Sequence, residues 1–210
     1  MTPEIITITA GPFAENGYLV VHPVSRNTII IDPGDESTKY INVIQNKNLK
    51  PIAVLNTHAH LDHIGAVQAL TSTYDLPFYL HHQEKMILDH YEESCQMFGI
   101  NPGESPRVTH WIHDEKQITV EDITVQIEHT PGHTPGGICY SIGENVFTGD
   151  TLFNGSVGRT DLPGGNWEIL QHSLRNMLNC YANDFTFYPG HGPSSTFGHE
   201  RQQNPFLIHI

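Results

Sequence analysis

Thr57-His58-Ala59-His60-Leu61-Asp62-His63 is the stretch on which the reading of this 210-residue chain turns. Three imidazoles and a carboxylate fall within six residues, directly behind the apolar run IAVL at 52–55. Composition alone would place the pattern HxHxDH in such a chain about 0.004 times, so the pattern asks for a cause. His58 and His60 are two apart, and an extended backbone points both to one side. Asp62 and His63 open the helix predicted from about 63 to 74, where they can turn back toward the same space. Neutral imidazole and carboxylate are ligands of borderline divalent metals, zinc foremost, with iron or manganese also suited. The spacing differs from the helical HExxH pair of zincin proteases. The competing reading is a polar loop of surface histidines.

Further residues of ligand type stand at other strand ends. His133 lies in TPGHTPGG at 130–137, after a strand predicted at 123–128. Asp150 lies in FTGDT at 147–151, after a strand at 145–148. His191 lies in YPGHGP at 188–193, after a strand at 185–188. Each is flanked by Gly or Pro, which permit tight turns and close backbone approach.

The rest of the chain frames these loops. Strands are predicted at 4–9, 17–22, 27–31, 52–55, 77–80, 117–120 and 137–142. Helices are predicted from Ser37, read as an N-cap, to about Lys47, and over 82–98 and 167–178, with a short one near Phe197. Residues 99–112 form a loop punctuated by Pro and Gly. The two halves follow a similar order. An α/β (or α+β) four-layer αββα sandwich fits better than a doubly wound sheet: two mixed sheets face to face, helices outside, in one domain over 1–210.

Composition narrows the function classes. Ten Lys and Arg oppose 23 Asp and Glu, a net charge of −13, which argues against nucleic acid as a partner. No apolar run approaches the roughly 20 residues that span a bilayer, so no membrane partner is expected. The start of the chain has no basic cluster and carries Glu4 in its apolar stretch, unlike a signal peptide. Cys95, Cys139 and Cys180 are widely spaced and odd in number, which fits a reducing, cytoplasmic location.

Five motifs in order, DPG at 32–34, THAHLDH at 57–63, TPGHT at 130–134, TGDTLF at 148–153 and PGHG at 189–192, resemble the metallo-β-lactamase superfamily. GSVGRTDLPGG at 155–165 and ERQQNPFL at 200–207 resemble its short, single-domain glyoxalase II-type branch, the hydroxyacylglutathione hydrolase-like proteins. The resemblance implies the metallo-β-lactamase sandwich and two divalent metals, most often zinc. It implies His58, His60 and His133 on the first metal, Asp62, His63 and His191 on the second, and Asp150 bridging both. It implies hydrolysis of a small acyl thioester, such as S-lactoylglutathione, by a metal-bridging hydroxide, with Asp62 as the catalytic carboxylate that orients it or takes a proton.

Asp32 is expected either to brace a ligand histidine or to cap a turn. Arg159 and Asp161 read as an ion pair shaping the loop after Asp150, with substrate contact as the other reading. His129 stands next to TPGH and is a candidate support. The remaining histidines, at 22, 81, 82, 90, 110, 113, 172, 199 and 209, read as surface or structural. In 82–98, Met86, Leu88, Tyr91 and Met97 read as core or lid packing. Rival activities are a mononuclear-iron persulfide dioxygenase and a lactonase, and the non-enzyme alternative is a metal-binding module. The 19 residues after His191 leave no space here for the helical domain with which larger glyoxalase II enzymes hold glutathione, so that site is not carried over.

Overall fold

The computed structural model describes residues 2–208 and 210. The sequence-based reading of His209 therefore lies outside the described residues. The first sheet begins with β1 (Glu4–Ala10), β2 (Glu15–Val21) and β3 (Asn27–Ile31), an antiparallel meander. Helix α1 (Ser37–Asn46) leads to β4 (Lys50–Leu55), which pairs parallel with β3. Short helices α2 (Leu61–Ile64) and α3 (Val67–Tyr74) lead to β5 (Phe78–His81). A 3-10 turn and helices α4 (Lys85–Asp89) and α5 (Tyr91–Met97) precede β6 (His110–Ile112). The sheet order is β1-β2-β3-β4-β5-β6, with β4, β5 and β6 parallel.

The second sheet contains β7 (Gln117–Val120), β8 (Ile123–His129), β9 (Ile138–Ile142) and β10 (Asn145–Gly149), joined antiparallel. A small hairpin, β11 (Leu152–Phe153) and β12 (Ser156–Val157), and helix α6 (Trp167–Cys180) follow. Strand β13 (Thr186–Pro189) then pairs parallel with β10, and β14 (Ser195–Thr196) pairs with β13 before helix α7 (Phe197–Gln203). Among the described residues no helix is long and apolar enough to cross a membrane.

Three apolar clusters mark the three seams of a four-layer sandwich. Leu19, Val21, Val54 and Phe78 pack with α1 and α3 residues such as Tyr40, Ile44 and Leu70. Tyr18, Val20, Leu55, Tyr140 and Phe147 fill the space between the sheets. Cys139, Val146 and Phe187 pack with Leu170, Leu174 and Met177 of α6 and Phe197 of α7. The period of two along each strand produces this division: Val54 faces the helices while its neighbours Ala53 and Leu55 face the other sheet. Cys139 is a small buried apolar residue, as its place in a strand predicts.

The helices depart from the predicted bounds for local reasons. Ser37 is not the N-cap of α1. Glu36 holds that place in the left-handed region, φ 50°, and Ser37 is the first helical residue. The predicted helix over 63–74 is two pieces, because the Ala66 amide bonds to the Pro33 carbonyl at 3.0 Å instead of continuing the first. The predicted helix over 82–98 is broken at His90, whose Nδ1 meets the Met86 carbonyl at 2.8 Å. β6 closes the predicted loop 99–112, and the two-residue strands β11, β12 and β14 are too short to show a sequence period.

Candidate metal centre

The loops that follow β3, β4, β8, β10 and β13 meet at one edge of the sandwich and bring the motif residues together. His60 ends the extended segment after β4, and Asp62 and His63 form the first turn of α2. The DPG turn packs beneath them. A Cβ on Gly34 would lie 1.8 Å from the Asp62 carbonyl oxygen, so a side chain there would push the ligand turn outward. Gly190 leaves room in the same way: its Cβ would fall 2.2 Å from Asp150 Oδ1 and 2.5 Å from His63 Cε1.

The metal-type atoms form two sets. His58, His60 and His133 converge in one, and Asp62, His63 and His191 in the other, each within a span of 4.8 Å. His60 Nδ1 and His133 Nε2 face each other at 2.9 Å. Asp150 lies between the sets: its Oδ2 is 3.7 Å from His133 Nε2 and 3.6 Å from His191 Nε2, and its Oδ1 is 3.4 Å from His63 Nε2. Asp62 Oδ2 is 3.2 Å from His191 Nε2. His58 Nε2, His63 Nε2 and Asp150 Oδ1 are buried with no hydrogen-bond partner. Buried polar atoms are normally satisfied, so three orphans aimed at one space fit a bound cation. A third convergence, Asp32 with His58 and His63, does not read as a metal site, because Asp32 spends its oxygens on Thr57 and His63.

Most of these imidazoles are held by their other nitrogen. His63 Nδ1 meets Asp32 Oδ2 at 3.2 Å, His133 Nδ1 donates to the Arg159 carbonyl at 2.7 Å, and His191 Nδ1 donates to the Phe13 carbonyl at 3.2 Å. His58 Nδ1 meets Thr57 Oγ1 at 3.0 Å, and that hydroxyl donates to Asp32 Oδ2 at 2.6 Å. Each contact directs Nε2 inward and selects the tautomer whose lone pair can take a metal. Asp32 therefore does both things expected of it, since it also accepts the Thr57 amide at 2.7 Å and so fixes the loop.

Electrostatics separate the two sets. Burial holds His58 well below the ordinary imidazole range, and it lowers His133 too. Burial, with the facing His133, brings His60 down to about 3. These rings stay neutral and ready to ligate. Burial pushes His63 down as well, but Asp150 and Asp62 outweigh it and raise the ring well above its usual value. Burial also opposes charge on His191, and the Asp62 hydrogen bond overcomes it, so His191 is raised. Burial would raise Asp62 and Asp150, yet the neighbouring His63 pulls both below the usual carboxylate range. Within the protein alone, protons on His63 and His191 balance the carboxylates that a metal would otherwise balance.

Supports invisible in the sequence reading surround this centre. Glu84 is buried, and its carboxylate accepts the Ala59 amide at 2.8 Å and the Gly136 amide at 2.7 Å. It thus ties the His58–His60 loop to the His133 loop. Asn16 donates to the Pro189 and Gly192 carbonyls at 3.2 and 2.8 Å, which fixes the turn carrying His191. Glu15 is buried with both oxygens unpartnered, and burial pushes its pKa up to about 7. Arg159 and Asp161 form an exposed bidentate pair, 2.7 Å at both contacts, as predicted for a loop-shaping pair.

The other histidines separate too. His129 is not in the centre: it is exposed, and its Nε2 donates to the Pro135 carbonyl at 2.9 Å, at the end of the His133 loop. His129, His81, His82 and His113 pack in a row, with ring centroids 4.4, 4.6 and 4.4 Å apart. Met86 and Met97, read from sequence as packing residues, instead line a cavity of about 820 Å³ whose floor includes His60, Asp62, His133, Asp150 and His191. Leu88 and Tyr91 do pack in the core.

The chain is similar to known proteins along nearly its whole length. A Bacillus subtilis protein described as the probable metallo-hydrolase YqgX is 37% identical over 94% of both chains. The Haemophilus influenzae hydroxyacylglutathione hydrolase GloC is 36% identical, covering 99% of this chain and 98% of its own. Among solved structures, the BLEG-1 B3 metallo-β-lactamase superposes with a TM-score of 0.91 at 36% identity, over 97% of this chain and 99% of that one. The di-iron-bound form of TTHA1623 gives 0.88 at 38% identity, over 96% and 100%. The family model for the metallo-β-lactamase superfamily matches residues 10–191, and the chain belongs to that superfamily.

Proposed function

We propose that the protein is a dinuclear metal-dependent hydrolase, with zinc as the metal, that cleaves acyl thioesters. The observation that carries this reading is the set of seven converging side chains with three orphaned buried atoms, His58 Nε2, His63 Nε2 and Asp150 Oδ1. His58, His60 and His133 would hold one ion, Asp62, His63 and His191 the other, and Asp150 both. When bound, such ions supply Lewis acidity toward a carbonyl and acidify water. The chain's own part is to hold the ligands in place and to manage protons. Asp62, whose carboxylate stays ionised, would take the proton of the attacking water. Water oxygen bonds to the acyl carbon, the C–S bond breaks, and carboxylate and thiol leave. Thiolate needs little acid assistance, which suits a centre walled by bases.

The relation to GloC supports a thioester and makes S-lactoylglutathione one test substrate. The relation to BLEG-1 supports a second reading, opening of a lactam by the same addition. The relation to di-iron TTHA1623 places iron beside zinc among the metals to be measured. A cytoplasmic location belongs to the proposal, with Cys95, Cys139 and Cys180 all free. Metal analysis joined to a panel of thioesters, a lactone, a β-lactam and glutathione persulfide tests it. Two ions per chain with thioester turnover, both lost in Asp150→Ala, is the expected result. One iron per chain with oxygen uptake on the persulfide would overturn it.

A further inference from the structure

The cavity over the metal centre has a chemical character of its own. Of the large apolar side chains exposed on the described surface, Phe13, Met86, Met97 and Phe98 all line it. Phe13 and Phe98 meet edge to face across its mouth, with ring centroids 5.7 Å apart. Leu162 and Pro163 face them from the loop after Asp150. Apolar side chains left in water around a concave site mark a surface kept for an apolar ligand. Met adds a side chain that adapts to varied shapes.

Charge points the same way. Among the described residues lining the cavity, Arg159 is the one Lys or Arg, and its guanidinium is engaged on both oxygens of Asp161. Glu93 adds a carboxylate to the wall, and the whole chain carries −13. A glutathionyl group carries two carboxylates and one ammonium, and beyond the proposed ions the described cavity wall offers its carboxylates no Lys or Arg but the engaged Arg159. We infer that the preferred substrate is a thioester of an apolar, medium-length acyl chain on an uncharged thiol, the chain lying against Phe13, Met86, Met97 and Phe98. This inference rests on the thioesterase reading and specifies its substrate class. The cavity, about 820 Å³, has room for such a chain continuous with Asp150 and His133 on its floor.

The test uses the metal-loaded protein and acetyl, butyryl, hexanoyl and octanoyl thioesters of N-acetylcysteamine, with S-lactoylglutathione beside them. kcat/KM should rise about fourfold per buried methylene until the cavity is filled. S-lactoylglutathione should fall below the octanoyl ester. The surface variant Met97→Ser with Phe98→Ser should flatten the rise. A non-hydrolysable S-octyl thioether of N-acetylcysteamine should bind with a negative heat-capacity change, and S-octylglutathione should bind more weakly. Thioester turnover with a flat chain-length profile, or S-lactoylglutathione as the fastest substrate, overturns the apolar inference and leaves the thioesterase reading standing. No thioester turnover, with the octyl thioether still bound, overturns the thioesterase reading instead.

Discussion

Replacing Asp32 with Asn isolates what one buried carboxylate does for the centre. Asp32 is 2% exposed and sits at φ 48°, a conformation that Asn tolerates, so the backbone should hold. The carboxylate accepts the Thr57 amide, the Thr57 hydroxyl and His63 Nδ1. The amide oxygen of Asn can keep the Thr57 amide. Its NH2 group can donate to the Thr57 hydroxyl, which has lone pairs to spare. His63 has no such remedy: its Nδ1–H would face a donor. It either loses that bond, at a cost of about 1–3 kcal/mol, or moves the proton to Nε2 and gives up the lone pair that a metal needs. The Asp62–His63–His191 set should therefore weaken by about 10–100-fold in metal affinity, or about 1.4–2.8 kcal/mol. The His58–His60–His133 set should change less. Competition with a chromophoric chelator resolves the two binding steps, and urea unfolding of the metal-free protein checks the fold. Both steps unchanged within about twofold would show that Asp32 does not set His63 for metal, because outer partners normally matter more than that.

Four further outcomes follow. Glu84→Gln leaves one of the amides of Ala59 and Gly136 facing a donor, and should cost about 1–3 kcal/mol in urea unfolding; an unchanged midpoint would show that Glu84 is no clamp. Metal binding near pH 7 should release protons from the raised His63 and His191, so calorimetric enthalpies should vary with buffer ionisation heat; no variation would contradict their charge. The metal-free fold should likewise lose the His63 contribution as pH rises above 6.5 through its raised pKa. Burial and the neighbouring His129 and His82 bring His81 down to about 4. The unfolded chain then binds more protons there, so stability should fall as pH drops from about 6.5 to about 4. His81→Gln should flatten that fall, and an unaltered profile would assign the acid sensitivity elsewhere.

The candidate ligand residues that converge in the structure were legible because each lies in a short run that closes a strand, and Gly and Pro mark the turn. His58 and His60 share a side by strand period, and Asp62 and His63 by helix start, so local rules suffice. The supports were not legible. Glu84 looks like any acid in an acidic helical stretch, and its partners lie 25 and 52 residues away. Arg159 supports His133 through a main-chain carbonyl, which no side-chain pattern reports. The break at His90 depends on a side-chain contact that the apolar period of 82–98 does not carry. Met86 and Met97 have the spacing of packing residues, and it took the cavity to show that they line the same space as the candidate ligands His60, Asp62, His133, Asp150 and His191. The 15 histidines are divided by the same geometry. Five meet at the centre, and four more pack in a row behind the His133 loop.

His58, His60, Asp62, His63, His133, Asp150 and His191 are proposed to hold two ions between them. Metal content by mass spectrometry, on the purified chain and on His191→Ala, tests this most directly. Two ions per chain are expected in the parent and one in the variant, with His58, His60 and His133 retaining theirs. One ion per chain in the parent, unchanged by His191→Ala, would contradict it.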